Sequence, residues 1–430
     1  MEEKLKNTTS LENDSTYFVS NPEISCRTDH YFNNTQGVVN KFGDVEVVYS
    51  FFLRSPSIAA TKLVVEFLKK NYPANHKIPL KIDLQYEDGE LVPSGKVIMY
   101  VTGSMAVLSP LETLALQRLG FACVSAYNAY EMASAMPKSA FLDMHARHAT
   151  GDDMTNACAY GASVGSKTAR IFGAKGFIGT SQGLVAHYFG DKEGKGTNPH
   201  SLVGYAKAKA MMEGKTDFNS TLESVKMFHE TFPNAPKIVA LVDYDGKEVT
   251  DSIAVANWFY NEAKLHEKGK VLGIRLDTHG GRWCEGLDWG KSVETLMKWT
   301  HLETPNDVLD MAVKNFKATD LAKVDIDTIS DKYLFGTGVT AANLIWVRKK
   351  LEEAGFRDVE ITASSGFNPT KTKVMSNLNI PIDVIGTGSF IPEKISGAAA
   401  TADIVRYTDV ATGKHYDIVK EGREYLKLTA

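Results

Sequence analysis

The feature that most constrains the fold of this chain is a repeated alternation of short apolar runs and helical segments, which begins at about residue 141. Each apolar run ends in a turn rich in Gly, Asp, Ser or Thr. The runs cover residues 177–178, 238–242, 272–276, 359–363 and 382–385. Strands that alternate with helices predict βα units and a parallel sheet, open or closed. Because polar residues just past the strand ends face the functional site in such folds, the pattern indicates an enzyme.

The helices of this region and the elements that precede it follow from the same periodicities. Helices are predicted at residues 201–212, 252–267, 291–301 and 341–354. Earlier in the chain, strands are predicted at 45–53, 80–86 and 96–102, and helices at 57–71 and 111–132. Strand-like runs return at 403–407 and 415–419. We therefore predict an α+β domain over residues 1–140, joined by about 398–430, and an α/β domain over 141–397, with residues 1–22 as a flexible lead.

Composition excludes several classes of protein. The 430 residues suit two domains or a barrel with an appendage, and 43% hydrophobic with 23% charged residues are globular values. A net charge of −4 argues against a nucleic-acid binder and a basic membrane surface, but not against an anionic small substrate. No apolar stretch reaches 18 residues and the first 16 residues lack a signal-peptide core, so we expect a soluble, cytoplasmic protein. The four isolated cysteines are expected to be buried, reduced thiols.

Two glycine-rich turns follow consecutive strands about 20 residues apart. They are Ser365-Gly366 and Gly386-Thr387-Gly388. Late βα loops of barrels often present backbone N–H groups to a phosphate, because glycine allows close approach. Ordinary tight turns are the alternative, but two in tandem favour a phosphate site.

Arg275 and Asp277 alternate with apolar residues, so on a strand both side chains point to the same face. One interpretation is a buried ion pair without a ligand. The other is that Arg275 grips a carboxylate with its planar fork, while Asp277 holds sugar hydroxyls or a metal.

A cluster of His145, Arg147 and His148 precedes a helical segment. Cationic groups oppose the dipole at a helix start, which favours an anion site over a solvated surface cluster. His200 opens a later helix after Gly196, Thr197, Asn198 and Pro199, which fix the backbone around it. That constraint favours a functional histidine, whereas His187 is expected to pack within a helix or to be exposed.

With these residues in view, the sequence resembles the nicotinate phosphoribosyltransferase family, in its shorter archaeal-like form. The similar segments run in order from about Arg27 to Arg423: Thr28-Asp29-His30-Tyr31, Arg147-His148-Ala149-Thr150-Gly151, Gly179-Thr180-Ser181-Gln182, Gly196-Thr197-Asn198-Pro199-His200, Arg275-Leu276-Asp277-Thr278, and the two glycine-rich turns. There are departures from the family pattern. His148 stands where the family has a second Arg, the family's DTYD segment is shortened to Asp243-Tyr244-Asp245, and Arg275-Leu276-Asp277 continues as Thr278-His279-Gly280.

The resemblance implies an irregular TIM-like α/β barrel beside a smaller α+β domain made from both chain ends. It implies formation of nicotinate mononucleotide and pyrophosphate from nicotinate and phosphoribosyl pyrophosphate, with Mg²⁺, optional coupling to ATP hydrolysis, and a homodimer. Tyr31 is then expected to stack on nicotinate and Arg275 to bind its carboxylate. Arg147 and His148 are expected to bind pyrophosphate, and Thr180 and Ser181 to bind substrate. His200 is expected to be phosphorylated by ATP.

Two alternatives stay open at this point. One is a phosphoribosyltransferase for another pyridine, either nicotinamide, which lacks a carboxylate, or quinolinate, which carries a second one. The other is a sugar-phosphate-binding relative that has lost catalysis.

Overall fold

The computed structural model describes residues 22–316, 324–397 and 400–428, so the expected flexible lead lies almost entirely outside the described residues. The chain divides into two compact units. The first contains Met1–Tyr127, Gly151–Gly165 and Pro392–Ala430; the second contains Asn128–Thr150 and Ser166–Ile391. The domain boundaries predicted above stay a prediction.

An antiparallel sheet organises the first unit, in the order β13-β12-β1-β5-β3. Its strands are β1 (Glu46–Leu53), β3 (Lys81–Leu84), β5 (Val97–Ser104), β12 (Ala400–Thr408) and β13 (His415–Tyr416), and β2 (Ser57–Ile58) pairs with β4 (Leu91–Val92). β1 lies at the centre because it is a continuous apolar run, buried along almost its whole length. The helices are α1 (Pro22–Ser25), α2 (His30–Phe42) and α3 (Lys62–Asn71), and Glu424–Leu426 forms a 3₁₀ turn.

The second unit contains a six-stranded parallel sheet in the order β7-β6-β11-β10-β9-β8. The strands are β6 (Ala140–Asp143), β7 (Phe177–Thr180), β8 (Lys237–Leu241), β9 (Val271–Leu276), β10 (Glu360–Ala363) and β11 (Val384–Thr387). The prediction of an α/β fold with a parallel sheet is therefore confirmed. The sheet forms half of a barrel, which is consistent with the TIM-like arrangement.

Helices alternate with these strands, as the periodicity predicts. They are α6 (His200–Met212), α7 (Ser220–Thr231), α8 (Glu248–Asn257), α9 (Trp289–Thr300), α10 (Pro305–Ala312), α11 (Ile326–Thr328), α12 (Ala341–Glu353) and α13 (Pro369–Asn377). The long helix α4 (Met105–Ala135) and helix α5 (Asp152–Ile171) each contribute residues to both units. In the part of the chain that the structure describes, no helix is long and apolar enough to cross a bilayer.

The segment Lys195–Asn198 lies between the two edge strands of the parallel sheet. The N–H of Lys195 donates to the carbonyl of Thr180 on β7 at 2.7 Å. The N–H of Asn198 donates to the carbonyl of Val239 on β8 at 3.1 Å. These residues, which we name the seam segment, therefore connect β7 to β8 without forming a regular strand.

Three sequence predictions need correction. The helix predicted over 57–71 begins only at Lys62, because residues 57–58 pair as β2. The helix predicted over 252–267 is broken into α8, a π-helical turn (Trp258–Glu262) and a 3₁₀ turn (Leu265–Lys268), with Lys264 in the left-handed region at φ 47°. The cysteines carry free thiols as expected, but Cys26 is exposed, so the prediction of burial is wrong for it.

Candidate functional site

A cavity of about 290 Å³ opens at the carboxyl ends of β6, β9, β10 and β11 in the second unit. It brings together nine of the residues predicted for the site, namely Arg147, His148, Arg275, Asp277, Ser365, Gly366, Gly386, Thr387 and Gly388. Met144, Ser364, Phe367 and Ser389 complete the lining. Parallel strands direct their carboxyl ends to one edge, which explains why residues far apart in the chain meet here.

Arg275 is the central cation of this cavity. Its Nη2 donates to Oδ2 of Asp277 at 2.8 Å, its Nε to Oγ of Ser364 at 2.9 Å, and its Nη1 to Oγ1 of Thr197 at 2.9 Å. The side chains of Arg275 and Asp277 are 13% and 19% exposed. A guanidinium has five N–H groups, so two remain after these three bonds. The ion pair of the first interpretation is therefore present, and it lines an accessible cavity. The roles that the second interpretation gives to Arg275 and Asp277 stay a prediction.

The two glycine-rich turns form one wall of the cavity. Ser365 and Gly366 both have left-handed backbone angles, with φ 80° and 65°. At Gly388 a Cβ would lie 2.5 Å from the carbonyl oxygen of Met144, so only glycine fits there. The N–H groups of Gly366, Phe367 and Gly388 donate to no other described residue. Free amides at glycine turns are a suitable lining for a phosphate.

Arg147 and His148 form a short 3₁₀ turn with Ala146, between β6 and α5. Burial lowers the pKa of His148, and the nearby Arg147 and His145 lower it further, so at neutral pH this imidazole is uncharged. His145 does not belong to the cationic cluster that the sequence predicted as an anion site. It is buried, and its Nδ1 lies 2.6 Å from Oδ1 of Asp143, because the turn directs its ring into the protein.

His200 is the first residue of α6 and directly follows the seam segment and Pro199. Its Nε2 lies 3.0 Å from Oδ2 of Asp243, which follows β8. The Asp243 side chain is 6% exposed, whereas that of His200 is 48% exposed. Because a carboxylate only accepts hydrogen bonds, Nε2 is the nitrogen that donates to Asp243, and in a neutral ring Nδ1 then carries the lone pair. The sequence left the role of Asp243 open, and the structure pairs it with His200.

The backbone that carries Asp243 is held by a buried network. Nη2 of Arg282 donates to the carbonyl of Asp243 at 2.7 Å and lies 2.6 Å from Oε1 of Glu248. Glu248 is fully buried and also accepts from Oγ1 of Thr278 at 2.8 Å. Arg282 and Glu248 were not singled out from the sequence, since neither lies in a recognisable motif.

Four predicted site residues lie outside the cavity lining, namely His200, Thr180, Ser181 and Tyr31. Thr180 is buried at the end of β7 and accepts the seam hydrogen bond, while the N–H of Ser181 donates to the carbonyl of Asp143 at 2.8 Å. Tyr31 lies in the first unit, where it is 61% exposed and its hydroxyl donates to Oδ2 of Asp29 at 3.1 Å. His187 lies in a 3₁₀ turn rather than within an α-helix.

Comparison with solved structures shows what this architecture resembles. Nicotinate-nucleotide pyrophosphorylase from Pyrococcus furiosus aligns at 19% identity with a TM-score of 0.60, over 95% of this chain and 81% of that one. The chain has a type II phosphoribosyltransferase fold. Human nicotinic acid phosphoribosyltransferase also has this fold, at 15% identity and a TM-score of 0.50, over 88% of this chain and 74% of that one. No family model matches the sequence, and a search of curated proteins finds no match.

Proposed function

We propose that this protein is a phosphoribosyltransferase that forms nicotinate mononucleotide and pyrophosphate from nicotinate and phosphoribosyl pyrophosphate. One observation carries the proposal. A single cavity combines two glycine-rich turns that have free amides with two arginines and a carboxylate. A substrate that bears a phosphate, a pyrophosphate and two ribose hydroxyls matches this set of groups. The fold it shares with known phosphoribosyltransferases supports the same reaction.

The reaction requires stabilisation of separated charge. When the bond between C1 of ribose and the pyrophosphate oxygen breaks, positive charge develops on the sugar and negative charge on the leaving group. The turns at Ser365-Gly366 and Gly386-Thr387-Gly388 hold the 5′-phosphate, and Arg147 with His148 binds the pyrophosphate. The ring nitrogen of nicotinate then attacks C1, so catalysis consists mainly of positioning and electrostatics.

Arg275 selects nicotinate among the pyridines in this proposal. Its two remaining N–H groups bind the carboxylate of the substrate in a forked arrangement. Nicotinamide offers no carboxylate, and quinolinate would place a second one in a cavity where His148 is uncharged at neutral pH. The stacking of Tyr31 on the pyridine ring, which the resemblance implies, stays a prediction, and we propose that the active protein is a homodimer.

Mg²⁺ fits the carboxylate of Asp277. Magnesium is commonly bound by one or two carboxylates together with substrate phosphates. Asp277 lines the cavity and uses Oδ2 for Arg275, which leaves its other oxygen for a ribose hydroxyl or the ion. We propose that one oxygen of Asp277 would hold the ion together with oxygens of the substrate. When bound, the ion neutralises the charge of the leaving pyrophosphate.

ATP coupling is assigned to His200 in this proposal. Nδ1 is the nucleophile that accepts the γ-phosphoryl group, while Asp243 holds the proton on Nε2 and stabilises the ring as it gains charge. The bond from Nδ1 to phosphorus forms as the bond from phosphorus to the leaving oxygen of ADP breaks. Such coupling gives the ATP-dependent, ligase-type reaction that the resemblance implies.

The test is a pyrophosphate-release assay with phosphoribosyl pyrophosphate and Mg²⁺. Nicotinate, nicotinamide and quinolinate are offered separately, each with and without ATP. Release only with nicotinate, stimulated by ATP, is the expected result. Pyrophosphate release with quinolinate alone would identify quinolinate as the substrate. Release with none of the three pyridines would contradict the proposed enzyme activity and favour a sugar-phosphate-binding protein without catalysis.

A further inference from the structure

Lys371 is a buried cation that lies directly behind the proposed phosphate turns. It is the third residue of α13 and is only 5% exposed. A lysine is rarely buried to this extent unless its ammonium is paired. Its Nζ donates to the carbonyl oxygen of Ser365 at 3.0 Å and lies 4.5 Å from the centre of the Phe367 ring. Both Ser365 and Phe367 line the cavity.

The bond to Ser365 determines where the next amide points. In a planar trans peptide the C=O and N–H groups point in opposite directions. Since the carbonyl of Ser365 is directed to buried Lys371, the N–H of Gly366 is directed away from it. That N–H belongs to the free amides described above. The left-handed angle of Ser365 is unfavourable for a residue with a side chain, whereas that of Gly366 is not, and the bond from Lys371 helps to hold Ser365 in this conformation.

We propose that Lys371 is a positioning residue of the phosphate cradle, which it holds in shape and to which it supplies a buried positive charge when a phosphate dianion binds. The inference deepens the proposed function and rests on it, because it assumes that the turns bind the 5′-phosphate. Neither the motifs nor the resemblance pointed to this residue.

The electrostatic surroundings of Lys371 make its charge sensitive to the ligand. Burial lowers the pKa of the Lys371 ammonium to about 7, while Asp277, after β9, opposes that shift. Tyr333 contributes an aromatic ring 5.9 Å from Nζ, and its hydroxyl accepts from Asn368. A dianion in the cavity favours the charged ammonium. Binding above pH 7 therefore takes up a proton, and affinity falls as pH rises.

The experiment measures binding of ribose 5-phosphate to the full chain by calorimetry at pH 8, where the phosphate is already a dianion. Titrations in two buffers of different ionisation enthalpy give the number of protons taken up. We expect uptake that approaches one proton in the wild type. Lys371→Met keeps the apolar stem but removes the charge, and we expect it to bind roughly tenfold to a hundredfold more weakly, without uptake.

Lys373→Met is the matched control. Lys373 lies two residues further along α13, and its Nζ donates to the carbonyl of Asn315 instead. It should bind ribose 5-phosphate like the wild type. Lys371→Arg is a second variant in case Lys371→Met does not fold, because a guanidinium stays charged and should bind without proton uptake.

Three results overturn the inference. The first is wild-type binding without proton uptake. The second is uptake that persists in a folded Lys371→Met or Lys371→Arg, which would place the proton on His148. The third is absence of ribose 5-phosphate binding, and pyrophosphate release by the same preparation then shows that the proposed function stands separately.

Discussion

Nε2 of His200 lies 3.0 Å from Oδ2 of Asp243, so the two nitrogens of this imidazole have different roles. The buried carboxylate accepts from Nε2, so Nδ1 is the nitrogen that does not contact Asp243, on a side chain that is 48% exposed. The pair resembles the histidine and carboxylate of nucleophilic sites, in which the acid orients the base.

Asp243→Asn is expected to slow ATP hydrolysis roughly a hundredfold, because an amide neither fixes the tautomer nor stabilises the charged ring. His200→Ala should abolish both hydrolysis and the phosphohistidine. Asp245→Asn is the control. Asp245 lies two residues after Asp243, but its carboxylate pairs with Lys207 instead of His200. Mass spectrometry of an acid-labile phosphoryl group on His200 gives the readout. Normal ATP coupling in His200→Ala would refute the role.

Arg275→Lys is expected to lower kcat/KM for nicotinate roughly a hundredfold, because an ammonium cannot reproduce the fork that bonds to Asp277, Ser364 and Thr197. The loss with nicotinamide should be smaller. Arg348→Lys is the control. Arg348 is also buried, but donates to the carbonyls of Arg357 and Val359, so its replacement should lower stability without changing pyridine selectivity. Equal losses with both pyridines would contradict carboxylate binding by Arg275.

His148→Arg is expected to strengthen pyrophosphate binding roughly tenfold at pH 8. Because the pKa of His148 is lowered, its imidazole gains charge only as pH falls below the usual value of 6.5, and wild-type affinity should rise there. The ionisation of pyrophosphate affects both proteins equally, so it cancels in the ratio of the variant's affinity to the wild-type affinity. We expect this ratio to fall toward pH 5.5, because the wild-type imidazole gains charge there. His187→Arg is the control. His187 is an exposed residue of a 3₁₀ turn, so the affinity of this variant for pyrophosphate should equal that of the wild type at every pH. A ratio that is constant with pH would show that His148 does not face the anion.

Gly388→Ala is expected to lower both stability and ribose 5-phosphate affinity, because the added Cβ meets the Met144 carbonyl and lies 2.9 Å from Cδ2 of His148. Overpacking of this kind costs about 1–3 kcal/mol. At Gly355, with φ 93° and open space around it, alanine should cost stability through backbone strain alone. Thermal unfolding together with calorimetry separates the two variants. Unchanged affinity in Gly388→Ala would argue against a phosphate at this turn.

The sequence predicts the βα series well because burial on both faces leaves a continuous apolar signal at β8 to β11. It also identifies Arg275, Asp277 and both glycine turns, since strand ends and left-handed turns leave local signatures. Lys371 leaves none. A lysine in a polar first turn is indistinguishable from a solvated one until tertiary packing closes Phe367 and Tyr333 around it. The break after α8 is also missed, since the apolar periodicity of this segment carries no signal of the left-handed angle at Lys264.

The seam segment makes the proposed phosphorylation site a part of the wall of the barrel. The amides of Lys195 and Asn198 hold β7 and β8, and the side chain of Thr197 bonds to Arg275. We expect a ligand that binds His200 or Arg275 to stabilise the backbone hydrogen bonds of Lys195 and Asn198, which join this segment to β7 and β8. Hydrogen exchange at the amides of Lys195 and Asn198 should slow when substrate binds, so the exchange rate at this segment reports whether the site is occupied.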